Sequence, residues 1–132
     1  MRTWDLQQAI YTRLKESMGP SSAVGLYDHV PQDAEPPYIV VGEDVTTPDD
    51  TDDSLGSQHA LTIHTWSSYR GQSEVKGVQQ AIYTALHREP LFVEGAAVVD
   101  CVIESQETFL DEDGLTRHGV QRFRVLLEEV NQ

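Results

Sequence analysis

Residues 58–87, QHALTIHTWSSYRGQSEVKGVQQAIYTALH, contain the change of hydrophobic period that decides the fold. Gln58–Trp66 is rich in Thr, Ile and Trp, and its apolar side chains alternate between two faces, as in a half-buried strand. From Val75 to Leu86 the apolar residues recur at spacings of three and four, as on one face of a helix. The residues between them are polar. The stretch therefore predicts a strand, a short loop and an amphipathic helix.

A second helix and four more strands complete the predicted fold. Residues 3–18 carry a broad apolar stripe that starts after Thr3 as N-cap and ends at Gly19-Pro20. The remaining predicted strands are 24–30, 38–43, 96–109 and 116–128. The fold class is α+β, in the order α-β-β-β-α-β-β, because most connections are of hairpin type. We expect a single domain over 1–132, with both helices on one face of a mostly antiparallel sheet of four or five strands.

The most biased segment is 44–57, where five aspartates stand among Thr, Ser and Gly. Such a density of acids predicts a mobile, solvated loop that joins two strands as a long hairpin connection. Long loops are often functional, and the pair Tyr69-Arg70 before the second helix is of a type enriched at protein contacts. The alternatives to a contact function are ordinary solvated loops and loose binding of Mg²⁺ by the aspartates. The residues predicted to contact another subunit or a partner are Asp49, Asp50, Asp52, Asp53, Tyr69 and Arg70.

The charge balance excludes several classes of protein. Nine basic and 22 acidic residues give a formal net charge of −13. This argues against a phosphate-binding surface and against docking on an anionic membrane, and it favours repulsion of DNA. The single cysteine, Cys101, excludes an internal disulfide and lies in an apolar run that predicts a buried thiol. Because the first residues lack an apolar signal core, we expect synthesis in the host cytosol.

No catalytic, cofactor-binding or metal-binding residue is predicted. His59 and His64 are an odd number of positions apart on one strand, so they point to opposite faces and cannot share a metal without a bulge. Asp111–Gly114 reads DxDG, as at the start of a calcium loop, but the twelfth position of that loop would be Arg122. A hairpin turn is the favoured interpretation. Zinc-protease, CxxC, phosphate-loop and GxSxG motifs do not occur.

The two helices share a phrase: residues 6–14 read LQQAIYTRL and residues 78–86 read VQQAIYTAL. In both copies Ile and the final Leu are four residues apart on one helix face. The two interpretations are a common task, covering one face of one sheet, and an internal repeat of helix followed by strands. Because the match stops after this phrase, the common task is favoured.

The chain resembles the tail completion, or tail terminator, proteins of long-tailed bacteriophages and related prophages. The resemblance extends from Leu6 to Leu127 and rests on LQQAIYTRL, VGLYDHVPQDAEPPYIVVGE, LTIHTWS, GQSEVKGVQQAIYTAL and DEDGLTRHGVQRFRVLL. It implies a structural protein without enzymatic activity or cofactor. It implies a ring, usually of six subunits, that caps the head-proximal end of the tail tube, stops tube growth and offers the surface for joining the head. The implied partners are the tube protein and a head-tail connector or stopper protein, and DNA would pass through without specific binding.

Other functions stay open on the sequence alone. A head-closure or neck connector protein would differ only in the partner that it binds. A small acidic DNA mimic that inhibits a nucleic-acid-binding protein would need acids along rigid elements, whereas the densest cluster here lies in a predicted loop. A metal-dependent enzyme would require an ion bound through the histidines. For the ring, six copies would carry a formal charge of −78, six times −13, so salt or divalent cations should favour assembly.

Overall fold

Two helices and five strands follow one another in the predicted order. The structure, a computed structural model, describes residues 1–18 and 24–130. The elements are α1 Thr3–Met18, β1 Gly25–Tyr27, β2 Tyr38–Pro48, β3 Gly56–Ser67, α2 Ser73–Leu86, β4 Ala96–Leu110 and β5 Arg117–Glu129. The strands form one sheet in the order β1-β2-β3-β5-β4, in which β1 is parallel to β2 and every other neighbour is antiparallel. The predicted fold class is confirmed.

Both helices pack on one face of this sheet, which we call the covered face. The alternation in β3 explains why, because Leu61 and Ile63 point to that face and are buried, whereas His64 and Trp66 point away from it. The core contains side chains from both helices, four strands and the segment before β4: Leu6, Ile10, Leu14, Ile39, Val41, Leu61, Ile63, Val78, Ile82, Ala85, Leu86, Val93, Cys101, Phe123, Val125 and Leu127. On the other side of the sheet, which we call the open face, no helix of the described residues packs.

The acidic segment is shorter as a loop than the sequence predicts. The interpretation of 44–57 as loop is wrong at both ends, because β2 continues to Pro48 and β3 begins at Gly56, which leaves 49–55 between them. Beyond Val40, no strand in the described part of the chain pairs with the outer side of β2, since β1 pairs with it only over three residues. An edge strand tolerates proline and bulges, and the pairing with β3 shifts register between Val41 and Asp44.

The boundaries of the other elements differ less from the predicted ones. The helix over 3–18 is confirmed, whereas its predicted stop at Gly19-Pro20 lies outside the described residues. The strand predicted over 24–30 is reduced to β1, because the chain turns away towards the proline-rich segment 31–37. The common task predicted for the repeated phrase is met, since Ile10 and Ile82, one from each helix, are both fully buried in the same core.

Candidate functional site

The predicted contact residues lie in two loops at opposite ends of β3. Asp49, Asp50, Asp52 and Asp53 belong to the 49–55 loop before the strand, and Tyr69 and Arg70 to the 68–72 loop after it. β3 has 12 residues. At about 3.3 Å per residue, the two loops are separated by roughly 35 to 40 Å. The structure therefore does not bring the two groups of residues together; it places them at opposite ends of the sheet.

The aspartates of the 49–55 loop have two different environments. The Asp50 carboxylate accepts a hydrogen bond from the Gly56 N–H at 2.9 Å, and the Asp53 carboxylate accepts one from the Thr51 hydroxyl at 3.1 Å. Within 1–18 and 24–130, no hydrogen bond or ion pair engages the carboxylates of Asp49 and Asp52. Two of the acids therefore hold the loop together, and two are available to a partner.

The 68–72 loop is also held at its base. The Tyr69 N–H donates to the Ser67 hydroxyl at 3.2 Å, and the Arg117 guanidinium donates to the Arg70 carbonyl at 3.2 Å. The Tyr69 side chain is nevertheless 54% exposed. A held backbone with a projecting aromatic ring suits a contact site, because little conformational entropy remains to be lost on binding.

The open face carries a row of aromatic rings that crosses all five strands near the same end as Tyr69. Each ring contacts the next, with centroid separations between 4.3 and 5.8 Å. In spatial order the rings are Tyr27, Tyr38, Trp66, His118 and Phe109. The register explains the row, because Tyr38, Trp66, His118 and Phe109 are successive cross-strand partners. Sequence reasoning missed it, since the order of strands in the sheet was unknown.

A chain of polar contacts runs beside this row. His64 lies within hydrogen-bond distance of His118, with Nδ1 and Nε2 2.8 Å apart, and its own Nε2 lies 3.1 Å from a Glu43 carboxylate oxygen. The hydrogen bond from His64 lowers the pKa of Glu43. Burial lowers the pKa of His118, and the neighbouring His64 lowers it further. At neutral pH, Glu43 is therefore a carboxylate and His118 a neutral imidazole.

A second histidine chain lies on the covered face. His59 is fully buried, with Nε2 2.8 Å from the Ser57 hydroxyl and Nδ1 3.5 Å from an Asp44 carboxylate oxygen. The order Ser–His–Asp is that of hydrolytic triads. Ser57 has no exposed surface, so a substrate carbonyl cannot approach its Oγ. These contacts join β2 to β3 and do not make a nucleophile available.

The turn at Asp111–Gly114 uses its acids internally. The Asp113 carboxylate accepts hydrogen bonds from the Leu115 and Thr116 N–H groups and from the Thr116 hydroxyl, between 2.6 and 2.8 Å. These bonds, with the hydroxyl of Thr116 first, lower the pKa of Asp113. Gly114 adopts a positive φ of 70°, which closes the turn. The predicted hairpin turn is confirmed. In the described part of the chain, no three His, Cys, Asp or Glu side chains are grouped to hold a metal ion.

The thiol of Cys101 is buried, as predicted. Burial raises its pKa to about 11, so the thiol is protonated at neutral pH and is a poor nucleophile.

Two hydrogen bonds close part of the exposed edge of β4. The Arg88 N–H donates to the Cys101 carbonyl at 2.7 Å, and the Gln79 side chain donates to the Glu107 carbonyl at 3.1 Å. Helix α2 and the residues directly after it thus cover backbone groups that would otherwise offer this edge to another chain.

Comparison with known proteins places this architecture in a family. Residues 8–128 match the family model described as tail completion protein gp17. The chain belongs to this family. It is a phage tail completion protein, a structural protein of the virion tail. The assignment agrees with the resemblance seen in the sequence phrases.

Similarity to individual proteins supports the family assignment. The chain is 28% identical over 120 residues to the tail completion protein gp17 of Bacillus phage SPP1, covering 90% of this chain and 89% of that protein. Its fold is similar to a chain in the virion of a native gene transfer agent particle, with a TM-score of 0.79 and 21% identity over 93% of this chain and 94% of the other. It is also similar to the structure of SPP1 gp17, with a TM-score of 0.53 and 23% identity over 100% and 96%. At these identities the two structures show a shared fold.

No helix among the described residues is both long and apolar enough to cross a membrane.

Proposed function

We propose that this tail completion protein caps the head-proximal end of the tail tube as a ring, usually of six subunits, stops tube growth and provides the surface to which the head joins. The observation that carries the proposal is the family match over residues 8–128. The protein acts by binding rather than by catalysis, since its function is to occupy the tube end.

The two contact loops support a protein that binds on both sides. A cap must meet the tube on one side and a head-tail connector or stopper protein on the other. The 49–55 loop and the 68–72 loop lie at opposite ends of β3, and each has side chains left for a partner. We therefore assign one loop to the tube protein and the other to the head side.

The open face supports association between subunits. One face of the sheet is closed by the two helices, whereas the other presents the aromatic row, in which each ring contacts the next. Contiguous exposed apolar surface is characteristic of interaction sites. In a ring, each copy would bury part of this face against its neighbour or against the tube.

The charge fits a channel through which DNA moves. A chain with a formal net charge of −13 repels phosphate, so the ring would let DNA pass without specific binding. The same charge opposes assembly, because neighbouring copies repel one another. Salt and divalent cations should therefore favour the ring, and the acids of the 49–55 loop are where that sensitivity would be greatest.

Deleting the gene in the parent phage or prophage tests the proposal directly. Negative-stain electron microscopy of the lysate should show overlong, headless tails beside full heads. Tails of normal length that fail to join would instead assign the protein to head closure at the neck. Intact infectious particles would exclude both functions.

Complementation with loop variants tests the two-sided arrangement. One plasmid supplies Asp49→Asn with Asp52→Asn, and another supplies Tyr69→Ala with Arg70→Ala. One pair should give overlong tails, and the other should give tails of normal length that do not join heads. The matched control is Glu16→Gln with Glu89→Gln, which also removes two exposed acids but lies away from both loops and should restore infectivity. Full infectivity with both loop pairs would contradict the assignment of these loops.

A further inference from the structure

We propose that His64 and His118 form a binding site on the open face for a transition-metal dication that prefers imidazole ligands, such as Zn²⁺, Co²⁺ or Ni²⁺. Glu43 is the carboxylate that orients His64 within this site. The two histidines supply two protein ligands, and water completes the coordination. The site goes beyond the proposed capping function, and nothing in that function requires it.

The distance between the two ring nitrogens is close to that of a chelating pair. His64 Nδ1 and His118 Nε2 are 2.8 Å apart and face each other across the pairing of β3 with β5. Two imidazole nitrogens bound to one tetrahedral zinc ion, at about 2.05 Å each, are separated by about 3.3 Å. To admit an ion, the two nitrogens would separate by about 0.5 Å and the rings would rotate so that both lone pairs point at it.

Glu43 fixes which nitrogen of His64 carries the proton. A carboxylate can only accept, so the contact at 3.1 Å requires that His64 Nε2–H donates to Glu43. The lone pair of neutral His64 therefore lies on Nδ1, directed at His118. Metal-binding histidines in proteins commonly donate their other ring N–H to a carboxylate in this way, which orients the ring and raises its basicity.

The backbone leaves room for this arrangement. A Cβ atom at Gly42 would lie 2.8 Å from Cδ2 of His64, so the absence of a side chain there lets the His64 ring lie flat over the strand. On its other side, His118 stacks on Trp66 with ring centroids 4.3 Å apart. The rings are held in place before an ion arrives, which reduces the entropy lost on binding.

Electrostatics also favours a cation at this position. The carboxylates of Asp111, Glu107 and Glu43 all act on His118 with the sign that stabilises positive charge. A neutral imidazole is the form that binds a metal. Without an ion, the His118 Nε2–H donates to the Nδ1 lone pair of His64. A bound ion would replace this hydrogen bond and leave the His118 proton on Nδ1, and the surrounding carboxylates favour that exchange.

Trp66 provides the measurement. The chain has two tryptophans, so Trp4→Phe leaves Trp66 as the only indole. Untagged protein with this substitution is titrated with Ni²⁺ at pH 7.5, in the same buffer for every sample, while the fluorescence of Trp66 is recorded. In a second experiment, the absorption spectrum of bound Co²⁺ reports the ligand geometry. We expect saturable quenching with one ion per chain, reversed by a chelator.

Variants separate this site from non-specific binding. His64→Gln and His118→Gln should each weaken binding by about tenfold or more, and Glu43→Gln, which keeps both imidazoles, by roughly 10- to 100-fold. His29→Gln, an exposed histidine outside the cluster, is the matched control and should change nothing. Far-UV circular dichroism checks that each variant is folded. Quenching that does not saturate in the millimolar range, or that survives in folded His64→Gln/His118→Gln protein, would overturn the proposal.

Discussion

Each face of the sheet carries a histidine of β3 that contacts an acid of β2, but the two histidines differ in how far they are buried. His59, on the covered face, is fully buried between Asp44 and Ser57. His64, on the open face, also contacts an acid from β2, but its side chain keeps 16% of its surface exposed. The covered face is completed by the chain's own helices, whereas the open face keeps groups accessible. We infer that folding stability resides mainly on the first and association on the second.

Removing the largest side chain of the covered face should have the largest effect. Phe123 is 1% exposed and belongs to the core that both helices cover. Phe123→Ala should lower the free energy of unfolding by about 3–5 kcal/mol, because it leaves a cavity that the sheet cannot close. Val45→Ala, a truncation on the open face, should change it by less than about 0.5 kcal/mol. Urea unfolding followed by circular dichroism measures both, and equal losses would refute the division between the faces.

The two histidines of β3 give a more closely matched comparison. His59→Ala should destabilise the fold by about 2 kcal/mol, since Ser57 would lose its shorter hydrogen bond, 2.8 Å long, in a site without solvent. His64→Ala should cost less than about 1 kcal/mol, because water can replace its contacts. The measurement is again the urea midpoint at pH 7. A larger loss for His64→Ala would mean that the open face contributes to the core stability of the chain.

Particular residues show what the sequence can and cannot predict about this fold. The helices follow from apolar spacing, and the opposite orientation of His59 and His64 from strand alternation alone. The strand status of residues 44–48 could not be predicted, because acids indicate a loop unless the Asp44–His59 contact is known. The aromatic row and the His64–His118 pair depend on β5 inserting between β3 and β4, which is a property of topology.

The pH dependence of stability gives a smaller effect, located on the open face. The pKa of His118 in the folded chain lies below the ordinary value of 6.5, chiefly because of burial. Below 6.5 the unfolded chain therefore binds more protons, so stability is fully present above that pH and declines as the pH falls towards the folded pKa. We expect His118→Gln to flatten this decline. The resulting change in unfolding free energy should be smaller than the one expected for His59→Ala. Urea midpoints between pH 5 and 7.5, with His29→Gln as control, measure it. An unchanged slope in His118→Gln would contradict the assignment.

The smallest effect is expected for the ion pair on the open face. Arg122 and Glu107 approach to 3.3 Å, with side chains 52% and 53% exposed. Because water and salt screen such pairs, Arg122→Gln should cost at most about 0.5 kcal/mol, and the loss should vanish in high salt. Urea unfolding at low and high NaCl tests this. A loss above about 2 kcal/mol that persists in salt would show that the open face is packed as tightly as the covered one, and the assignment of association to that face would fail with it.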